Sequence, residues 1–207
     1  IKYLCEKNNK VSSHYIIKNN GDIPGTHLVV EGFEALSHQL EFLSPLKISG
    51  SRTRRIISGE EILNYLQGFF DTVIHSRAIK ITATEEFQRL KVDELPSRLL
   101  PVFVNLVNNS VYWLVNSDTE NPQVILSICE GKIIVSDNGP GIDELDQQSL
   151  FKIFFTRKSS GGRGIGLYLC RVNLMASGHS ILYAKESKFK ILNGANFIID
   201  LKGVYFE

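Results

Sequence analysis

Apolar residues between positions 25 and 77 recur with a helical period. Val29, Phe33, Leu36, Leu40 and Leu43 are spaced by 4, 3, 4 and 3, a heptad seam on one helix. Pro45 is expected to end that helix or to lie in its last turn, because it has no N–H to donate. A basic loop, SGSRTRR, follows. Ser58 and Glu61 then form a capping box that opens a second helix, with Ile62, Leu66, Phe69 and Val73 along one side. Two such seams need cover. They find it either in a second copy of the chain, as a four-helix bundle, or in the remainder of their own chain. The matching heptads point to the first, a homodimer through a helical hairpin.

From Ala78 the period changes to that of strands. AIKITAT and RLKVD read as a hairpin around Glu85 and Glu86. SRLLPVFVNLVNNSVYWLVN reads as a long helix, with Pro101 near its first turn. QVILSIC and KIIVSD are two strands joined by the two-residue turn Glu130-Gly131. A polar stretch covers 143–163, and the helix after it carries Ile165, Leu169, Val172 and Met175. SILYAKE and ANFIIDL supply two last strands. Mixed strands and helices predict a two-layer α/β (α+β) sandwich, a mixed sheet with helices on one face. The domain plan is an N-terminal segment at 1–24, a helical hairpin at 25–77 and the sandwich at 78–207.

Composition narrows the classes of function. A net charge of +1 over 207 residues argues against a nucleic-acid surface. No apolar run approaches the roughly 18 residues of a membrane span. Cys5, Cys129 and Cys170 are far apart and odd in number, so they read as reduced core fillers of a cytoplasmic protein rather than disulfides or metal ligands. The chain begins at Ile1, as expected of part of something longer.

Three local patterns carry candidate chemistry. Asn105 and Asn109 lie one turn apart on one face of the long helix, and an amide oxygen is a suitable hard ligand for Mg²⁺. The alternative is a solvated helix face. Asp137 ends a strand and is followed by Gly139, Gly141 and Ile142; its carboxylate is able to accept a hydrogen bond from an exocyclic amine such as that of adenine. The alternative is a plain turn. Gly162, Gly164 and Gly166 open the next helix, either as a flexible loop or as an anion cradle of backbone N–H groups at a helix N-terminus. Their spacing is neither Gly-x-Gly-x-x-Gly nor a P-loop.

In this order, Asn-x-x-x-Asn, Asp-x-Gly-x-Gly, polar lid and Gly-x-Gly-x-Gly, the chain resembles the ATP-binding domain of the GHKL superfamily over residues 78–202. NLVNNSVYW, DNGPGI, LFKIFFTRK, GGRGIGL and GANF are most similar to the sensor histidine-kinase branch. That resemblance implies a Bergerat-type fold that binds ATP with Mg²⁺. It implies nucleotide contacts from Asn105, Asn109, Asp137, Gly139, Gly141, Ile142, Phe154, Thr156, Arg157, Lys158, Gly162, Arg163, Gly164, Ile165, Gly166 and Leu167, with Asn109 holding Mg²⁺. Phe151, Phe154 and Phe155 are expected to pack the lid against the domain when nucleotide is bound, and Arg157, Lys158 and Arg163 to meet phosphate charge. Hydrolytic members place a Glu where this chain has Asn105, which is no base at neutral pH.

ALSHQLEFLSPL resembles the phosphoacceptor motif of the same branch, with His38 opposite the apolar seam. Two departures stand out. Gln39 follows the His where the branch has an acid, and Pro45 lies seven residues on instead of five, a rotation of about 200° around the helix. His38 is therefore either the phosphoacceptor or a surface histidine. The implied function is Mg-ATP-dependent phosphotransfer to a histidine, with a response regulator or other effector downstream. The alternative is a nucleotide-gated conformational switch without transfer.

Overall fold

Ser58 accepts the Glu61 N–H at 3.0 Å and so starts a helix at the point where a strand ends. In this computed structural model, which describes residues 53–159 and 162–206, strand β1 (Arg55–Ser58) runs into helix α1 (Gly59–Phe69). Helix α2 (Asp71–Arg77) follows across a break at Phe70. Next come β2 (Lys80–Ala83), α3 (Glu85–Arg89), β3 (Leu90–Glu94) and the long α4 (Pro96–Val115). The second half is β4 (Gln123–Cys129), β5 (Lys132–Asp137), α5 (Glu144–Gln147), α6 (Gly166–Met175), β6 (Ser180–Tyr183), β7 (Asn196–Asp200) and β8 (Val204–Phe206).

The main sheet has the order β2-β4-β5-β7-β6, with β2 parallel to β4 and the other pairs antiparallel. Side chains alternate along β5. Ile133 and Val135 face the core under the helices, whereas Ile134 joins Ile198, Ala184 and Phe189 on the opposite face. The expected sandwich is therefore present, a mixed sheet with α1, α4 and α6 on one face. A second sheet, β1-β3-β8, stands beside it. The β4–β5 turn has Glu130 and Gly131 both at positive φ (50° and 70°), as a two-residue hairpin requires.

Three expectations are corrected. Residues 78–93 form no hairpin. Thr84 caps α3 by accepting the Phe87 N–H at 3.3 Å, Phe87 is fully buried, and β2 and β3 part into different sheets. The boundary expected at 77/78 is no break in the fold. β1 pairs with β3, and Ile62 and Leu66 are buried in the same core as Phe103 and Leu126. The second seam is thus covered by its own chain at Ile62 and Leu66, with Phe69 and Val73 half-buried against the same core. The first seam, His38, Gln39, Pro45 and Cys5 lie outside the described residues.

The third correction concerns α6. Val172 and Met175 are exposed, and Cys170 and Leu174 are the buried positions. Gly166 presses against Asn105, where a Cβ would stand 2.7 Å from Oδ1, and positions 170 and 174 follow on that same face at i+4 and i+8. Cys170 is a core filler as expected, while Cys129 is only half-buried. Pro101 falls in the second turn of α4, which begins at Pro96. No helix among the described residues is long and apolar enough to cross a membrane.

Candidate functional site

The C-terminal end of β5 and the middle of α4 place a carboxylate in the interior. Asp137 is 3% exposed. Its Oδ2 accepts the Ser110 hydroxyl at 2.7 Å, and its Oδ1 accepts the N–H groups of Gly139 and Ala195, each at 3.0 Å. Burial pushes the carboxyl above its usual range, against the pull of those three hydrogen bonds. A carboxylate has about four acceptor positions, so one remains for a ligand donor.

Backbone closes around it. Gly194 donates its N–H to the Asp137 carbonyl at 3.0 Å, and a Cβ on Gly194 would lie 2.3 Å from Asp137 Oδ1 and 2.5 Å from the Gly139 nitrogen. Gly141, at φ +76°, faces the carbonyl of Gly194. Asn196 anchors this loop, accepting from Ser136 at 2.7 Å and from the Ile191 N–H at 2.9 Å and donating to Gly194 O at 3.0 Å. Ile142 packs on the core close by, and its backbone meets the half-buried Tyr183 hydroxyl. Ser110 and Asn196 escaped the sequence reading. Ser110 reaches Asp137 and Asn196 reaches Ser136 far along the chain, which no local spacing reveals, although Asn196 also ties its own loop at Ile191 and Gly194.

On α4, Asn105 is 7% exposed and its amide is committed: Nδ2 donates to Gly166 O at 2.8 Å and lies 3.5 Å from Cys170 Sγ. Asn109, one turn on, is half-buried with no hydrogen bond among the described residues, whereas Asn108 is exposed. Burial pushes the Cys170 thiol up to about 12, so it is no nucleophile.

The lid is held differently. Leu150 is buried, and Phe151 packs edge-on against Phe197 with ring centroids 6.3 Å apart. Phe155 is partly buried against the core. Phe154, whose packing is expected with nucleotide bound, is 71% exposed here at φ +65°, and its backbone, not its ring, lies on Gly164. A Cβ on Gly164, itself at φ +66°, would stand 2.3 Å from the Phe154 carbonyl carbon. Gly162 meets Thr156 Oγ1 and the Lys158 side chain in the same way. The glycines thus admit the lid backbone and the Asn105 side chain.

Arg157 makes two hydrogen bonds to Asp146, at 2.7 and 2.9 Å, and Arg163 is exposed. Lys158 is half-buried over the Tyr112 ring at 4.5 Å and meets no carboxylate among the described residues. Burial lowers its ammonium to about 8. An ammonium so placed, next to a glycine loop, favours an anion. Ile165 caps α6, and Leu167 packs on the core. The structure therefore gathers a buried acceptor fit for a base amine, an uncommitted amide at Asn109 and an unpaired cation at Lys158. That donor set suits a nucleotide with a divalent cation.

A family model described as histidine kinase-, DNA gyrase B-, and HSP90-like ATPase matches residues 94–203. The sensor kinase/phosphatase LuxN of Vibrio harveyi is 33% identical over 84 residues, 39% of this chain and 10% of that protein. The sensor histidine kinase ZraS of Salmonella typhimurium is 28% identical over 135 residues, 64% of this chain and 28% of that protein. The chain thus spans less than a third of the length of these curated relatives. Among solved structures, the catalytic domain of histidine kinase ThkA is 25% identical with a TM-score of 0.55, covering 72% of this chain and 94% of that one.

Proposed function

We propose that this chain, which belongs to the histidine kinase-, DNA gyrase B- and HSP90-like ATPase family and carries the ATP-binding catalytic domain of a histidine kinase-like protein, transfers the γ-phosphoryl group of Mg-ATP to a histidine. Asp137 holds the adenine amine. Lys158 meets the phosphates, with Arg157 and Arg163 beside it. Asn109 holds Mg²⁺, which neutralises phosphate charge. The observation that carries transfer over hydrolysis is Asn105. It stands where a water-activating base would be, and its amide is spent on Gly166 and Cys170. With Asn105 unable to act as a base towards water, the fitting acceptor is one that brings its own nucleophile, and imidazole is competent near pH 7.

His38 is the proposed acceptor, with Gln39 leaving its ring unpolarised and transfer slow. A homodimer through the seam of residues 29–43, a response regulator downstream and a cytoplasmic setting belong to the same reading. Incubation with radiolabelled ATP tests it. Acid-labile label is expected on the parent, faster on Gln39→Glu and absent from His38→Ala, which retains ATP affinity. Tight ATP binding without label on the parent or on Gln39→Glu would leave a nucleotide-gated switch instead.

A further inference from the structure

The most thoroughly buried charged contact of the described residues lies away from the nucleotide site. Glu94 and His179, with side chains 1% and 2% exposed, meet at 3.0 Å between Oε2 and Nε2. The Lys202 N–H donates to His179 Nδ1 at 3.0 Å, which puts the ring proton on Nε2, facing Glu94. Glu94 Oε1 also accepts the Leu95 N–H at 2.7 Å. Arg54 and Arg98 approach the same carboxylate at 3.9 and 3.8 Å. Arg98 in turn donates to Ser177 Oγ at 2.6 Å.

These residues sit at informative ends. Glu94 immediately precedes α4, the helix of Asn105, Asn109 and Ser110. Ser177 and His179 lie two and four residues past the end of α6, the helix that the glycine loop opens, and their N–H groups both donate to Leu174 O in its last turn, at 3.0 Å. Lys202 follows β7. The two helices pack on each other, and at their other meeting point Asn105 donates to Gly166 O at 2.8 Å. That contact tolerates no drift, since even a Cβ on Gly166 would stand 2.7 Å from Asn105 Oδ1. Helices are stiff over this length, so a shift at the C-terminal turn of α6, to which Ser177 and His179 are bonded, is felt at Gly166.

We infer that Glu94 and His179, with the Arg98–Ser177 bond beside them, are positioning residues that clamp α6 to α4 and so set where the glycine loop meets the nucleotide phosphates. The inference rests on the nucleotide reading above. It also predicts an asymmetry. Asp137 is held by Ser110, Gly139 and Ala195, none of them on α6, so the base half of the site does not depend on the clamp.

Calorimetric titration of the full chain with Mg²⁺ and a non-hydrolysable ATP analogue, and separately with adenosine, tests this. His179→Leu is expected to weaken the analogue about tenfold, the scale on which small misplacements act, and to spare adenosine. His179→Gln, which keeps an N–H towards Glu94, is expected to recover most of the loss. Arg98→Met, a half-exposed change that keeps the packing, is expected to weaken the analogue about threefold, in line with one lost hydrogen bond. Equal losses for both ligands, no rescue by Gln, or unchanged analogue binding in Arg98→Met would each overturn the clamp. If His179→Leu does not fold, the Gln and Arg98→Met variants decide. A parent chain that binds neither ligand would instead overturn the nucleotide reading itself.

Discussion

The two halves of the nucleotide site are built on opposite plans. Around Asp137 all but one of the carboxylate's acceptor positions are taken by neighbouring donors, and backbone approaches so closely that Gly194 has no room for a methyl group. Around the lid the contacts are looser: an ion pair whose arginine is open to water, a lysine on a tyrosine face and an exposed phenylalanine at positive φ. The first half forms with the core. The second is assembled from charges that phosphate is able to take over. Changes on the base side should therefore lower stability and binding together, and changes on the phosphate side should lower binding alone.

The largest effects are expected at Gly194 and Asp137. In Gly194→Ala the added methyl meets main-chain atoms that have little freedom to move, so a loss of about 3 kcal/mol in stability is expected, the upper range for overpacking. Nucleotide binding should vanish with it. Asp137→Asn keeps the volume but replaces an acceptor of three hydrogen bonds by an amide, at a cost of about 1.5–3 kcal/mol in binding. Denaturant melts and titration with a fluorescent ATP analogue check both. A Gly194→Ala protein as stable as the parent would erase the contrast between the halves.

Lys158 comes next. Its ammonium has a folded value of about 8 against an ordinary 10.5, so in the free protein the unfolded chain holds the extra proton between these values and stability rises with pH across that window. Lys158→Met should abolish that rise and stabilise the free protein below about pH 8. Phosphates reverse the preference. Binding of the triphosphate is expected to take up a proton, to be full below about pH 8 and to weaken as pH rises above it. In Lys158→Met that dependence should disappear, along with about 1.5–3 kcal/mol of ATP affinity, while adenosine binds as before. An equal loss for adenosine would place Lys158 on the wrong half.

The site was legible where a local pattern maps onto a local structure. The Ser58 N-cap and the Glu130-Gly131 hairpin each lie within a few residues and are found as expected, although Glu61 pairs with Arg55 instead of completing a capping box. The Asp137-x-Gly139-x-Gly141 stretch is a local turn around a buried carboxylate. What was not legible is tertiary. β2 pairs in parallel with β4 across some forty intervening residues, so its neighbour in sequence, β3, was the natural but wrong partner. α1 looked like half of a hairpin because its seam says only that it needs cover, not whose. The buried face of α6 had a signal that went unread: Gly166 marks the side that touches α4, and Cys170 and Leu174 follow from it. Residue type alone does not separate Phe154 and Arg157 from their neighbours, yet in this structure solvent takes one and Asp146 the other.

A smaller effect separates two neighbours on α4. Asn109→Ala should remove most of the Mg²⁺ dependence of nucleotide binding, and Asn108→Ala should change little. Asn109 shares the Asn105 face and is half-buried without a partner among the described residues; Asn108 points about 100° away and is exposed. Titrations of the ATP analogue with Mg²⁺ and with a chelator measure this. Equal responses of the two variants would remove the metal from that face.

The smallest effect is the most direct test of exchangeable lid contacts. In the free protein Arg157 is held by Asp146, whose carboxyl the guanidinium keeps below the usual range, so the pair is ionised at neutral pH. If phosphate takes Arg157 over, Asp146 competes with the nucleotide. Asp146→Asn then frees the arginine, with an ATP affinity equal to or slightly above that of the parent and faster amide exchange across residues 143–159 in the free protein. Nucleotide should slow that exchange in both proteins, because Lys158 and Arg157 gain fixed partners on binding. The pair is bidentate, with the arginine mostly exposed and the carboxylate largely covered, so the melting temperature should fall only modestly. Slower exchange with nucleotide in the parent but not in Asp146→Asn would mean that the ion pair itself orders the lid, and the phosphate half would then be as prebuilt as the base half.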